Sequence, residues 1–225
     1  MKALLYKEFK LAMHPICYVF ICTFPFMVLV PRYPVAVGFI YLLSAYPILF
    51  LGANKGRQSN DLLFSTLLPV RKKDIVLARI ITVLSMQLIY ILIMSALYPL
   101  ALYFQKLINK PDLIPGLSLN GYVSILAIVI IGFGIADLVF FLNYYKNGRS
   151  ILLPTLMTIL GFVIYVLVFT VAIPFIPGCE WYKDILCDRG VGIQFAFLGG
   201  ALVVSFLLHL ITYIVSSKRL EKVDF

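Results

Sequence analysis

Charged residues are scarce in this sequence. Asp, Glu, Lys and Arg make up 13% of the chain, whereas they make up roughly 25% of a typical soluble domain. Hydrophobic residues make up 62%. A chain with this composition exposes more apolar surface than it can bury alone, so we expect a membrane protein. Its apolar runs lack the alternation of barrel strands, which favours an all-α membrane protein.

Three sequence motifs of enzymes are also missing. Without a GxxxxGK[ST] loop, the chain cannot hold a nucleoside triphosphate in that way. Neither HExxH nor GxSxG is present, and histidine occurs only as His14 and His209. For both histidines we expect packing or hydrogen bonding rather than catalysis. The sequence therefore predicts no enzyme and no cofactor within this chain.

Cysteine is another rare residue, with four copies in the chain. Cys17 and Cys22 fall in the first apolar run, where a small apolar role is the default. Cys179 and Cys187 share a predicted external loop, residues 177–192, where an oxidising exterior allows either a disulfide or two free thiols. Their spacing is not CxxC and no histidine lies nearby, so we expect no metal site.

Long apolar runs, in contrast, are abundant. A helix needs about 17–25 apolar residues to cross a bilayer core. The third run is long enough that its helix should tilt or project from the membrane. We predict six transmembrane helices: Ile16–Val30, Val35–Ala53, Ile75–Phe104, Tyr122–Leu142, Ile151–Ile176 and Ile193–Ser216.

Basic residues fall mainly on one side of these spans. With the N-terminus inside, fourteen of the 19 lysines and arginines face the cytoplasm and five face the exterior. This bias places both termini in the cytoplasm. The formal net charge of +9 then reflects topology and attraction to anionic lipid head groups, and does not indicate nucleic-acid binding. Glu8 interrupts the basic start, so we expect no cleavable signal peptide.

Asp137 is the one charged residue that we expect inside the bilayer. An acid at mid-membrane costs about 2.5–3.5 kcal/mol on insertion scales. In one interpretation it faces neighbouring helices and pairs with a basic or hydroxyl group. In the other it belongs to a substrate path or a coupling network, as an intramembrane polar site.

A short amphipathic segment, residues 59–69, separates the second span from the third. Ser59 and Asn60 are good helix caps, and Pro69 disfavours continuation, so the helix has two to three turns. A helix this short must rest on lipid, on the helix ends of its own chain or on a partner. Its apolar residues recur at helical spacing, as Leu62, Leu63, Phe64, Leu67 and Leu68.

The stretch LLPVRKKDIVLARI, residues 67–80, resembles the first cytoplasmic loop of ABC-2-type transporter permeases. In that family a short amphipathic helix ends in a Leu-Pro-x-[Ser/Arg]-[Arg/Lys] element that leads into the third span. The opening MKALLYKEFKL is similar to the family's interface helix, and the ending SSKRLEKVDF is similar to its basic tail. The matching residues in the loop are Leu68, Pro69, Val70, Arg71, Lys73, Asp74, Ile75, Val76 and Arg79.

The resemblance implies a permease subunit without an ATPase of its own. Two ABC ATPase subunits, which bind ATP and Mg, would dock below this chain and a second permease copy or a paralogue. Residues 59–69 would be the coupling helix, seated in an ATPase groove. The coupling residues would be Asn60, Asp61, Leu63, Phe64, Leu67, Leu68 and Arg71.

Other cytoplasmic positions offer a secondary ATPase contact. Residues 1–14 are predicted to form an amphipathic interface helix that lies on lipid and could touch the ATPase through Lys7 or Glu8. Lys146, in the loop after the fourth span, offers a third contact.

The predicted cargo is an amphipathic peptide or a hydrophobic drug, exported across a bacterial plasma membrane. Aromatic residues in the spans suit such a substrate, although aromatic belts and packing explain most of them equally well. The alternative is a channel, carrier or assembly factor outside the ABC class, with residues 59–68 lying on lipid.

Overall fold

Every element in the described part of the chain is helical. The computed structural model describes residues 2–12, 15–29, 70–108, 122–147, 152–168 and 191–222. We number the α-helices α1 (Lys2–Lys7), α2 (Pro15–Thr23), α3 (Lys72–Ile108), α4 (Tyr122–Asn147), α5 (Leu152–Leu167) and α6 (Val191–Glu221). The all-α prediction is confirmed for these residues.

Three of these helices are long and apolar enough to cross a membrane: α3, α4 and α6. They correspond to the predicted third, fourth and sixth spans. α3 has 37 residues, which at 1.5 Å per residue is about 55 Å, well beyond a hydrocarbon core of about 30 Å. This length agrees with the prediction that the helix tilts or projects from the membrane.

The first two predicted helices are less regular than expected. α1 gives way to a π-helical segment, Glu8–Ala12, and α2 gives way to a 3-10 segment, Phe24–Leu29. The first predicted span is therefore not one continuous α-helix. Pro25 explains the second break, because it has no N–H and its ring would crowd the carbonyl of Ile21.

Side-chain contacts fix the directions of the long helices. Gln87 of α3 meets Asp137 of α4, and Arg79 meets Tyr144, so α3 and α4 are antiparallel. Asp137 also meets His209 of α6. Arg219, farther along α6, donates to the carbonyl of Leu142, so α4 and α6 are parallel. The start of α3 and the ends of α4 and α6 therefore share one side of the bundle, as alternating spans require.

Helix α4 lies between α5 and α6 and supplies much of the core. Its aromatic side chains pack against α3 and α5, as in the edge-to-face contact of Tyr90 with Phe133. α5 and α6 instead carry large exposed apolar faces, as expected of helices that face lipid or another subunit. Those faces include Leu152, Leu156, Leu160, Ile164, Phe195, Val203, Phe206 and Leu210.

The fifth predicted span, Ile151–Ile176, appears as α5 over the residues that the structure describes. The second span, Val35–Ala53, and the coupling helix, residues 59–69, lie outside the described residues. Most of the external loop, residues 177–192, lies outside them as well. The count of six spans and the cytoplasmic location of the termini stay predictions.

Candidate functional site

Two buried polar clusters hold α3 against the rest of the bundle. In the first, the guanidinium of Arg79 donates to both carboxylate oxygens of Glu8, over 3.1 Å from Nε and 3.3 Å from Nη2. Its Nη1 donates to the hydroxyl of Tyr144 over 3.0 Å. The N-terminal segment, α3 and α4 thus meet at one arginine.

This first cluster is almost closed to solvent. The relative exposure is 1% for Arg79 and 3% for Glu8. Lys7 adds a second cation, with its Nζ 3.5 Å from Oε1 of Glu8. A carboxylate in a buried site requires such compensation, since removing one member of a buried ion pair costs about 3–5 kcal/mol.

The second cluster joins α3, α4 and α6 around the carboxylate of Asp137. Nε2 of His209 lies 2.7 Å from its Oδ2. The amide nitrogen of Gln87 lies 3.1 Å from each carboxylate oxygen and donates to them. All three side chains are buried. Asp137 therefore faces neighbouring helices and pairs with a basic group, which is the first of the two interpretations drawn from the sequence.

Gly134 allows α4 and α6 to approach closely beside this second cluster. A Cβ atom at Gly134 would lie 3.0 Å from Cδ1 of Leu208 and 3.4 Å from Cα of Ser205. Contacts this short are tighter than ordinary packing, so the Leu208 side chain or the α6 backbone would have to shift by a few tenths of an ångström. The glycine thus permits the spacing at which Asp137 reaches His209, one helical turn away on each helix.

A third group of contacts ties the helix ends together on the side where α3 begins. Nζ of Lys73 lies 3.4 Å from a carboxylate oxygen of Glu221, and Lys72 donates to the Glu221 carbonyl. Arg219 donates to the carbonyl of Leu142 near the end of α4. Basic side chains suit the negative ends of α4 and α6. This side of the bundle is the basic side that the sequence predicts to be cytoplasmic.

The structure places the predicted ATPase contacts in different environments. Arg71 and Lys146 are exposed, at the start of α3 and near the end of α4. Lys7 and Glu8, predicted on the outward polar face of the N-terminal helix, are buried instead. The reason is Arg79, whose guanidinium holds the Glu8 carboxylate inside the fold. The outward face of this segment carries Lys2, Tyr6 and Lys10.

Two groups of predicted residues lie outside the described part of the chain. They are the coupling residues from Asn60 to Leu68 and the two loop cysteines, Cys179 and Cys187. Their roles stay predictions. Of the other two cysteines, Cys17 is buried and Cys22 is exposed.

Arg79 and Gln87 were missed as site residues by the sequence reasoning. Arg79 lies inside the predicted third span, Ile75–Phe104, and in the structure it is buried in α3. The expectation that Asp137 is the one charged residue within a span is therefore wrong. An ionisable or amide side chain within an apolar run signals an inward-facing position with a partner. Arg79 and Gln87 both carry that signal, although their partners, Glu8 and Asp137, cannot be identified from a single sequence.

Metal chemistry has no support in the part of the chain that the structure describes. No group of three His, Cys, Asp or Glu side chains there could hold a metal ion. Comparison of the chain with protein-family models, curated proteins and solved structures finds no match. The sequence pattern and the two buried clusters are therefore the features that bear on function.

Proposed function

We propose that the chain is the permease subunit of an ATP-driven exporter, in which α3 carries movement from a separate ATPase into the membrane. The observation that supports this most is that α3 begins at the exposed basic segment and holds both buried clusters. Arg79 and Gln87 are eight residues apart, about 12 Å along the helix axis. A displacement at the start of α3 would therefore reach both buried clusters.

The attachment of α3 to its neighbours suits a transmitting helix. Near its start, Lys73 pairs with Glu221 of α6 and Arg79 pairs with Glu8. Deeper in the bundle, Gln87 contacts Asp137. A push on α3 would break these contacts, and each buried polar group would then need a new partner, because leaving one unpaired costs about 1–3 kcal/mol. The coupling helix at residues 59–69 precedes α3 directly and would receive that push.

The complete exporter would contain two of these permeases, or this chain with a paralogue, and two ABC ATPases that supply ATP and Mg. It would lie in a bacterial plasma membrane. The exposed apolar faces of α5 and α6 are suited to lipid and to the second permease. The cargo that we propose, an amphipathic peptide or a hydrophobic drug, fits a pathway lined by apolar and aromatic side chains.

A second candidate function is a carrier or channel that works without an ATPase. The observation in its favour is the buried pair Asp137–His209, because ion-driven carriers use ionisable groups at such positions. In this candidate, the helix at residues 59–68 lies on lipid and binds no partner protein.

Copurification separates the two candidates. The chain is expressed with the products of neighbouring genes, and the proteins that copurify with it are identified. Leu63→Glu with Leu67→Glu should abolish capture of an ATPase, because charges would disrupt a helix-in-groove contact. Lys222→Glu, at an exposed position after α6, is the matched control and should retain the ATPase. Absence of an ATPase from the wild-type preparation would reject the first candidate.

A further inference from the structure

The ring of His209 has an oxygen atom at each of its two nitrogens. Nδ1 lies 2.6 Å from the backbone carbonyl oxygen of Ser205. A carbonyl oxygen can only accept a hydrogen bond, so Nδ1 carries a hydrogen. The Ser205 hydroxyl, 3.4 Å from the same nitrogen, is the weaker contact. The hydrogen bond to Ser205 therefore fixes a hydrogen on Nδ1 of His209.

Nε2 of His209 and the carboxylate of Asp137 then share one proton. Nε2 and Oδ2 are 2.7 Å apart, and without a proton between them two lone pairs would face each other at that distance. The pair is either an imidazolium with a carboxylate or a neutral imidazole with a carboxylic acid. Both forms contain the same number of protons and have no net charge.

Apart from each other, the described side chains that bond to Asp137 and His209 are uncharged. From α3, the uncharged amide of Gln87 donates to the carboxylate, and from α6 Ser205 accepts from the ring. Among the described residues, no further titratable side chain bonds to the pair from α3, α5 or the N-terminal segment. Arg79, which pairs with Glu8, lies eight residues before Gln87 on α3, about two helical turns away.

We propose that Asp137 and His209 form an intramembrane binding site for a single proton, and that release of this proton loosens the contact between α4 and α6. On release, the proton passes to water, and a carboxylate and a neutral imidazole remain. The site then carries a buried negative charge, which is costly unless it is hydrated or paired anew. Separation of α4 and α6 would admit water to the carboxylate.

The proton itself is tested first, in a chain with a single histidine. Because the sequence has two histidines, His14→Gln leaves His209 as the only one. Nitrogen NMR of labelled histidine, with the full chain in lipid nanodiscs at neutral pH, should show hydrogen on Nδ1 and either an imidazolium or a proton shared with Asp137. Infrared absorption of a protonated carboxyl, lost in Asp137→Asn, would identify the carboxylic acid form.

Two results would overturn the proposal. One is a ring with hydrogen on Nε2 and none on Nδ1. The other is a histidine spectrum that Asp137→Asn leaves unchanged, together with no infrared absorption of a protonated carboxyl that this variant removes. In that variant the asparagine amide would donate to Nε2, so we expect a neutral ring with hydrogen on Nδ1 only.

Movement of the helices is tested with spin labels at Lys146→Cys and Lys218→Cys, in a chain whose four native cysteines are replaced by alanine. Both positions are exposed, near the ends of α4 and α6. From neutral to alkaline pH the distance between the labels should increase reversibly by about 2 Å or more, the size of helix shifts in switching proteins. The variant Asp137→Asn with His209→Gln should show no such increase.

An unchanged distance in the wild-type chain would overturn the proposed movement, and an equal increase in the double variant would assign it to other groups. Should the double variant fail to fold, the single-histidine spectra still decide whether the site holds a proton. Neither test requires an ATPase. Failure of the exporter proposal would therefore leave this inference standing, and the reverse also holds.

Discussion

Glu8 and Arg79 form a two-point ion pair that connects the N-terminal segment to the third predicted span. The carboxylate accepts from Nε over 3.1 Å and from Nη2 over 3.3 Å, and the two residues lie 71 positions apart in the chain. Pairing of this kind fixes the orientation of both side chains. The first residues of the chain are thus part of the bundle and not only a surface helix on lipid.

Arg79→Ala should destabilise the fold by about 3–5 kcal/mol, because the carboxylate of Glu8 would stay buried without its main partner. Thermal or denaturant unfolding in detergent measures the loss. Lys218→Ala, at an exposed position in α6, is the control and should change stability by no more than about 0.5 kcal/mol. Glu8→Gln should recover part of the loss in the Arg79→Ala chain, since the buried charge is then gone. Equal stability of Arg79→Ala and wild type would contradict the ion pair.

Gly134→Ala should lower stability by about 1–3 kcal/mol through overpacking between α4 and α6. The added methyl group would meet Leu208 and Ser205 at 3.0–3.4 Å. Gly161→Ala is the matched control, because a Cβ there meets only Val139, at 3.7 Å. This control should keep or raise the melting temperature, since alanine favours a helix by up to about 1 kcal/mol over glycine. The reverse order of the two variants would contradict the close approach of α4 to α6.

Substitutions of Asp137 separate its packing role from a functional one. Asn at this position can still accept from Gln87 and donate to His209, so Asp137→Asn should unfold close to the wild-type temperature. Asp137→Leu should cost more, because each buried polar group left without a partner costs about 1–3 kcal/mol. A transport assay completes the test. Loss of transport in Asp137→Asn at normal expression would assign the carboxylate a functional role beyond packing.

The state of the two loop cysteines, a disulfide or two free thiols, has a direct chemical test. If Cys179 and Cys187 are bonded, a membrane-impermeant maleimide added outside should label them only after a reductant. In a chain with both Cys17→Ala and Cys22→Ala, the loop cysteines are the only thiols that can be labelled. Ready labelling without reductant would show two free thiols.

The sequence predicted the helical class and the three long apolar helices because these depend on local composition. The intervals of α3, α4 and α6 each contain the predicted span, since apolar runs mark the part of a helix that lipid would contact. The predicted positions of the helix ends were less accurate than the predicted positions of the spans. α3 begins at Lys72 and α6 extends to Glu221, because basic residues continue a helix readily beyond its apolar part.

The buried clusters were harder to predict than the helices. Asp137 carried a local signal, as a lone acid in an apolar run, but its bonds to His209 and Gln87 depend on how three helices pack. Glu8 was assigned to an outward face on the basis of its polarity. Its inward orientation follows from Arg79, and pairing between residues so far apart in sequence cannot be read from periodicity.

ATP hydrolysis by the purified complex is the sharpest test of whether this chain is a permease driven by a separate ATPase. The chain is purified with the ATPase encoded by a neighbouring gene, reconstituted in lipid, and assayed with and without vanadate. We expect vanadate-sensitive hydrolysis by a stable complex, and loss of that complex when Leu63 and Leu67 are replaced by glutamate. Hydrolysis and assembly that are unaffected by these substitutions, or a chain that binds no ATPase, would contradict it.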